Sequence, residues 1–350
     1  MGFDKKVAIV YQAAVAPERN GIIKPMKPGG YSDSGADIAY SLKKQGIAVI
    51  YPVAIPDIAR DLDWVYPDTV DGIQDAIDKG ADIIWLNTVL YERHPIEIFL
   101  AQGILVVGQV PSNTDLYDDK LVTNDLLRYY KLSVPNSVTI TKENSENYTL
   151  DFNFPVVVKP IRGRGSQGVS LVKSKHKLDL LISEMFKSNE FGSAIYVEEF
   201  LSGQEITITV MPPGRYILSG QEVEKEDYWS LPPVRRFNHQ NGIAPYNGAV
   251  AVIKNSEILS ISQINEKEIR DVCKQCELAS KLVGAKAPIR IDCRSNSVGK
   301  YFMFDLNMKP NMTGPSRPHR MDQDSLTALA ARGIGWSFDE LIFNILLQNW

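Results

Sequence analysis

Five consecutive apolar residues, Val7-Ala-Ile-Val-Tyr11, set the first constraint on this chain. A strand that alternates buries one face, whereas an unbroken apolar run needs cover on both faces. A parallel sheet clothed by helices supplies that cover. Similar runs recur at residues 82–86 and 104–110, and a fourth at 49–55 carries Pro52, which demotes it towards an edge. Between them lie helical stripes. Ser32 or Asp33 caps one that carries Gly35, Ile38, Ala39 and Leu42 and stops at Gly46; Val70, Ile73, Ala76 and Ile77 form another, ended by Gly80. Strand–helix units in succession predict an open α/β sheet with helices on both faces. Residues 13–30, with Pro17, Pro25, Pro28, Gly21, Gly29 and Gly30, are too long for an ordinary connection. They read either as a binding loop or as a disordered segment.

A length of 350 residues exceeds one core and predicts two domains, or three lobes. From about residue 116 the pattern changes. Strands at 154–158 and 169–172 flank a Gly-rich turn, and residues 194–201 and 205–211 form a hairpin-like pair, the second alternating Ile206, Ile208 and Val210 with threonines. A helix over 266–282, strands around Arg290 and Phe304, and a closing amphipathic helix complete the chain. The net charge of -4 excludes a strongly electrostatic nucleic-acid binder. No stretch approaches the roughly 18 apolar residues of a membrane span. Three cysteines cannot build a disulfide framework, and the start of the chain lacks a secretory apolar core. The expected setting is the reducing cytoplasm.

Three constellations carry chemistry. In Phe154-Pro-Val-Val-Val-Lys-Pro-Ile-Arg-Gly-Arg-Gly-Ser-Gln-Gly-Val169 a strand delivers Lys159, and Gly163, Gly165 and Gly168 then surround Ser166. Glycines let backbone amides approach an anion, and Arg162 and Arg164 add charge. The turn leads into a strand, so it is not a Walker loop. In Arg290-Ile-Asp-Cys-Arg and Phe302-Met-Phe-Asp-Leu-Asn307, alternation puts Arg290 and Asp292 on one face and Asp305 and Asn307 on another. Neighbouring strands would converge two carboxylates and an amide oxygen, a hard-oxygen set suited to Mg²⁺ held with phosphates. In Tyr196-Val-Glu-Glu-Phe-Leu-Ser-Gly-Gln-Glu205, acids beside an apolar step could read an adenine and a ribose. The Cys273/Cys276 pair lies in a helix-period segment with no second ligand pair, and the four histidines are scattered.

Together and in this order, these motifs resemble the ATP-grasp superfamily, most closely its D-alanine–D-alanine-ligase-like branch, from about Asp119 to the C-terminus. The resemblance implies an α/β ATP-grasp fold in three lobes: an N-terminal parallel-sheet lobe (1–115), a small central lobe (116–195) and a C-terminal α+β lobe (196–350). It implies that Lys120 and Lys159 contact ATP phosphates together with Gly165, Ser166 and Gly168. Glu198 and the Leu201 backbone would hold adenine and Glu205 ribose, with Glu199 also among the ATP-binding residues. Asp292, Asp305 and Asn307 would bind Mg²⁺ or Mn²⁺. Arg290 would stabilise the tetrahedral intermediate, assisted by the backbone at Asn311, where the family places glycine.

The implied reaction is ATP-dependent carboxylate–amine ligation through an acyl phosphate. Small-molecule acid and amine are the partners, with a homodimer among the expected assemblies and neither nucleic acid nor membrane. Departures from the family point away from D-alanine. Gly165 replaces a serine, and residues 13–30 offer only Glu18 where a catalytic glutamate is expected. Residues 228–237 stand where a lid is expected, so Tyr228, Arg235, Arg236 and, beyond the metal strand, His319 become expected contacts to a bulkier or planar acid. The alternatives are a true D-alanine–D-alanine ligase and a non-catalytic ATP-binding sensor.

Overall fold

The computed structural model describes residues 3–163, 167–239, 242 and 251–350. Its first sheet is parallel, in the order β2-β1-β3-β4, from β1 (Val7–Tyr11), β2 (Tyr66–Pro67), β3 (Ile83–Asn87) and β4 (Leu105–Val107). Helices α1 (Ser32–Lys44), α2 (Val70–Asp78) and α3 (Ile96–Leu100) belong to this lobe. Val7, Ala8, Ile9 and Val10 are fully buried, as a strand covered on both faces requires. The strand expected at 49–55 does not form. Val49 makes a single bridge to Val7, and Val53 and Ile55 are exposed, because Pro52 breaks the donor row at the sheet edge. Nor does Ser32 or Asp33 cap α1. The N-cap is Tyr31, which enters in a left-handed conformation without a side-chain cap.

Helices α4 (Pro111–Tyr117) and α5 (Lys120–Tyr129) lead into a central antiparallel sheet, order β5-β8-β6-β7. Its strands are β5 (Ser137–Thr141), β6 (Val156–Pro160), β7 (Ser170–Val172) and β8 (Ala194–Glu199), with α6 (Lys175–Ser188) packed against them through Leu178, Ile182 and Met185. Asp119 caps α5 by accepting from the amides of Leu121 and Val122.

A third sheet begins at β9 (Glu205–Met211). The hairpin β10 (Gly214–Leu218) and β11 (Gln221–Lys225) follows, then β12 (Trp229–Ser230), β13 (Val234–Arg236), β14 (Ser256–Ile258), β15 (Ile289–Ser295) and β16 (Tyr301–Asn307). Its order is β14-β13-β9-β15-β16, with β12 also on β9. β8 and β9 are therefore not a hairpin. They lie in different sheets, and the change of sheet falls at 200–204, after β8. Helix α7 (Ile261–Ile264) precedes α8 (Lys267–Leu282), which buries Ile269, Val272, Cys276 and Ala279 against the back of this sheet. Helices α9 (Leu326–Arg332) and α10 (Phe338–Leu346) close the chain. Leu341, Ile342 and Ile345 share one core with Ile9, Ile38 and Leu42, so the first and third lobes are packed as one.

Candidate active site

The β15 sequence alternates strictly in burial: Ile289, Ile291 and Cys293 face α8, and Arg290, Asp292 and Arg294 face the other way. Register carries that face across the sheet. Arg290 stands opposite Asn307 and Asp292 opposite Asp305 on β16, while Glu205 on β9 lies between Arg294 and Arg236 of its neighbours. One sheet face thus gathers three basic residues, three acidic residues and an amide. They wall a cavity of about 780 Å³, which also reaches Lys120, Lys159, Glu198, Leu201 and Asn311.

Two carboxylates directly opposite each other repel, and here cations separate them. Arg290 donates from Nε and Nη2 to both oxygens of Asp292, each at 3.0 Å, and Thr207 adds a hydroxyl at 2.7 Å. Lys120 Nζ lies 3.1 Å from Asp305. Asn307 Nδ2 reaches Asp292 at 3.3 Å. Burial pushes the Asp305 carboxyl up, but Lys120 and Lys159 outweigh it and hold it below the usual range. Burial likewise opposes the Lys120 ammonium, and Asp305 and Asp118 raise it above the lysine norm.

β16 carries a bulge at Phe304, since Asp292 pairs with Asp305 and Cys293 with Met303. The Phe304 carbonyl is taken by Lys159 Nζ at 2.9 Å, whose other partner is Glu198 at 2.7 Å. Lys159 on β6 therefore ties the central sheet to the acidic strand. Burial raises the Glu198 carboxyl, although Lys159 pulls it down. Glu205 meets His239 Nε2 at 2.9 Å and Arg294 at 3.7 Å. Glu199 lines the cavity, and its side chain accepts from the Asn136 amide at 3.0 Å. Asn311 binds its own turn through Thr313 and is not among the left-handed residues, so no glycine is required there. Gly168 packs against Phe191, its neighbours Gln167 and Val169 lining the cavity. Gly165 and Ser166 lie outside the described residues.

The expected lid is not one. Residues 229–230 and 234–236 are strands of the third sheet, because β9 has a free edge for them. Tyr228 donates to the Ala285 carbonyl at 2.8 Å and packs against the α8 core. Trp229 stacks edge-on with Tyr216 and Trp336. Arg235 pairs with Glu257 on the outer face, and only Arg236 turns into the cavity. His319 is exposed on a 3-10 turn, since Arg317 and Arg320 take the inward positions around buried Asp37. Tyr228, Arg235 and His319, expected as substrate contacts, therefore do not line this cavity.

Sequence reading missed Arg294, although two-residue spacing from Asp292 would have found it. It also missed the residues that 13–30 bring to the cavity, among them Arg19, Lys27 and Tyr31, for which no periodic signal exists. Cys276 and Cys293 are free thiols in the core, and burial pushes the Cys273 thiol up to about 12.

Two carboxylates and an amide oxygen fit Mg²⁺ only if phosphate oxygens complete its shell. Among the described residues no group of three His, Cys, Asp or Glu side chains stands ready to hold a metal without them. No helix there is long and apolar enough to cross a membrane.

Comparison with known proteins supplies an independent measure. Residues 125–347 match the family described as D-ala D-ala ligase C-terminus. A D-alanine--D-alanine ligase of Buchnera aphidicola subsp. Schizaphis graminum is 30% identical over 263 residues, covering 71% of this chain and 76% of the relative. One of Chromohalobacter salexigens is 27% identical, covering 70% and 69%. The ATP complex of D-alanine--D-alanine ligase from Bacillus anthracis superposes with a TM-score of 0.65 at 19% identity, over 98% of this chain and 96% of that one. VanG D-Ala:D-Ser ligase from Enterococcus faecalis gives 0.65 at 17%, over 98% and 99%. At such identities the superpositions speak for the ATP-grasp fold.

Proposed function

The chain belongs to the D-alanine–D-alanine ligase family of ATP-grasp, ATP-dependent carboxylate–amine ligases, and we propose that it joins two small amino acids, D-alanine with D-alanine first among them. The observation that carries this reading is the charged sheet face of Arg290, Asp292, Asp305 and Asn307, with Lys120 on Asp305 and Lys159 on the Phe304 carbonyl, in one cavity. The expectation of a bulkier acid leaned on residues 228–237 as a lid. With Tyr228, Trp229 and Arg235 elsewhere, the relatives' D-alanine chemistry is the better-supported reading.

In this reading Glu198 and the Leu201 backbone border adenine, Glu199 lies beside them in the nucleotide site, and Glu205 accepts from ribose. Lys120 and Lys159, with Gly165, Ser166 and Gly168, would bind phosphate oxygens while the donor carboxylate attacks the γ-phosphorus in line, forming the acyl phosphate as the bond to ADP breaks and ADP leaves. Asp292, Asp305 and Asn307 would hold Mg²⁺ or Mn²⁺, which supplies further charge neutralisation when bound. The amine then attacks the acyl phosphate. Arg290 and the Asn311 amide face the oxyanion that develops, and phosphate leaves. The proposed setting is the cytoplasm, and a homodimer is the proposed assembly. Incubation with ATP, Mg²⁺ and D-alanine, followed by mass spectrometry, should yield D-alanyl-D-alanine and stoichiometric ADP. ADP release with other amino-acid pairs but not with D-alanine would reject the substrate while keeping the ligase.

A further inference from the structure

Residues 13–30 leave β1 and return as α1, yet their middle rests on the central lobe. Arg19 and Ile22 pair backbone to backbone at 3.0 and 2.9 Å, with Asn20 and Gly21 left-handed at the tip. That tip meets Gly192 so closely that a Cβ there would lie 2.4 Å from the Asn20 carbonyl. Ile22 is buried with Ile161 and Tyr196 of the central lobe. Polar ties surround this contact. Asn20 Nδ2 donates to Asp119 at 3.1 Å, and Lys24 pairs with Asp118.

The strongest tie passes through Asp115 at the end of the first lobe. Its Oδ2 accepts from Arg19 Nε at 2.8 Å and from the Glu92 amide at 3.1 Å; its Oδ1 accepts from Arg162 Nη1 at 3.0 Å. Arg162 follows β6, the strand that presents Lys159, and lines the cavity beside Lys120, whose amide donates to the Ile161 carbonyl at 2.9 Å. Its guanidinium is nine-tenths buried, with Asp118 at 3.5 Å and Asp119 at 3.6 Å as longer partners. A single carboxylate therefore joins one arginine from the first-lobe segment to one at the phosphate end of the nucleotide site.

We propose that Asp115 is a positioning residue for nucleotide binding: it fixes Arg162 at the cavity wall and, through Arg19, makes residues 13–30 a strap that holds the central lobe against the first lobe. The inference rests on the nucleotide-site reading above and goes beyond it. A guanidinium gripped by a carboxylate keeps one geometry, which a charge on a free side chain does not.

Calorimetric titration with ADP and Mg²⁺ is the first test, and it needs no amino-acid substrate. Asp115→Asn should weaken ADP by about tenfold, the size expected when a charge-assisted contact is lost. Arg19→Ala should weaken it in the same direction, and the double variant should fall short of the sum, because both act through one carboxylate. In steady state the KM for ATP should rise while the KM for D-alanine stays within about twofold, a split that a general loss of stability would not produce. If Asp115→Asn does not fold, Arg19→Ala, on a partly exposed side chain, carries the test alone. Folded variants that bind ADP as tightly as the parent overturn the inference. A parent that binds no ADP overturns the nucleotide reading itself.

Discussion

At the scale of single residues, the site is a balance of neighbouring charges. Asp305 stands opposite Asp292 and is held ionised by Lys120. Asp305→Asn removes a hard-oxygen charge while preserving shape, so ADP formation at any Mg²⁺ concentration should vanish while the circular dichroism spectrum stays the parent's, at some cost in melting temperature because Lys120 loses its partner. Unchanged turnover would remove Asp305 from the metal set. Glu205 sits among His239, Arg294 and Arg236 and is nearly buried. Its loss in Glu205→Ala should weaken ATP by about 1.5–3 kcal/mol, as for other hydrogen bonds to charged groups. Isothermal titration measures this directly, and a change under twofold would take ribose away from Glu205.

Elements place those residues, and the entry to α1 shows how tightly. Gly29, Gly30 and Tyr31 are all left-handed, at φ 74°, 56° and 69°. A Cβ on Gly30 would lie 1.8 Å from the Gln12 carbonyl, whereas one on Gly29 meets only the Ser32 hydroxyl at 3.2 Å. Tyr31 is the costly member of the run, and its carbonyl is held by Asn87 at 2.9 Å. Gly30→Ala should therefore cost about 2–4 kcal/mol in denaturant unfolding, strain and clash together, against about 1 kcal/mol for Gly29→Ala. Equal losses would mean that the backbone approach at Gly30 relaxes freely.

Over the whole molecule, carboxylates link stability to pH. Burial pushes Asp33, Asp115 and Asp305 up, but Lys27, Arg19 and Lys120 respectively lead the cations that bring each below its ordinary value. A carboxyl depressed in the folded state contributes stability above its unfolded pKa and loses it as pH falls through the folded one. Burial raises Asp37 and Glu198 against their arginine and lysine partners, and these two act in the opposite sense, taking up protons in the folded state first. Melting temperature should thus fall steeply only below the ordinary aspartate range, about pH 4. In Asp33→Asn, which keeps the helix start polar, that acid slope should be shallower. A parallel curve would show that Asp33 has the same pKa folded and unfolded.

How much of this could be read in advance follows from the range of the forces involved. Strand alternation is set by neighbouring residues, so the shared face of Arg290 and Asp292, the delivery of Lys159 and the strand Val7–Tyr11 with its fully buried Val7 to Val10 were legible in the chain itself. Pairing is set by contacts between distant segments. Nothing local distinguishes a hairpin from two strands in separate sheets, and so Glu199 and Glu205 fell into different sheets six residues apart. The same gap misread residues 228–237, whose aromatic and basic side chains suit a lid as well as a sheet edge until β9 claims them. Residues 13–30 have no period at all. Their place over the central lobe was decided by Asp115, Gly192 and Tyr196, at sequence distances where no pattern survives and only packing and charge pairing remain.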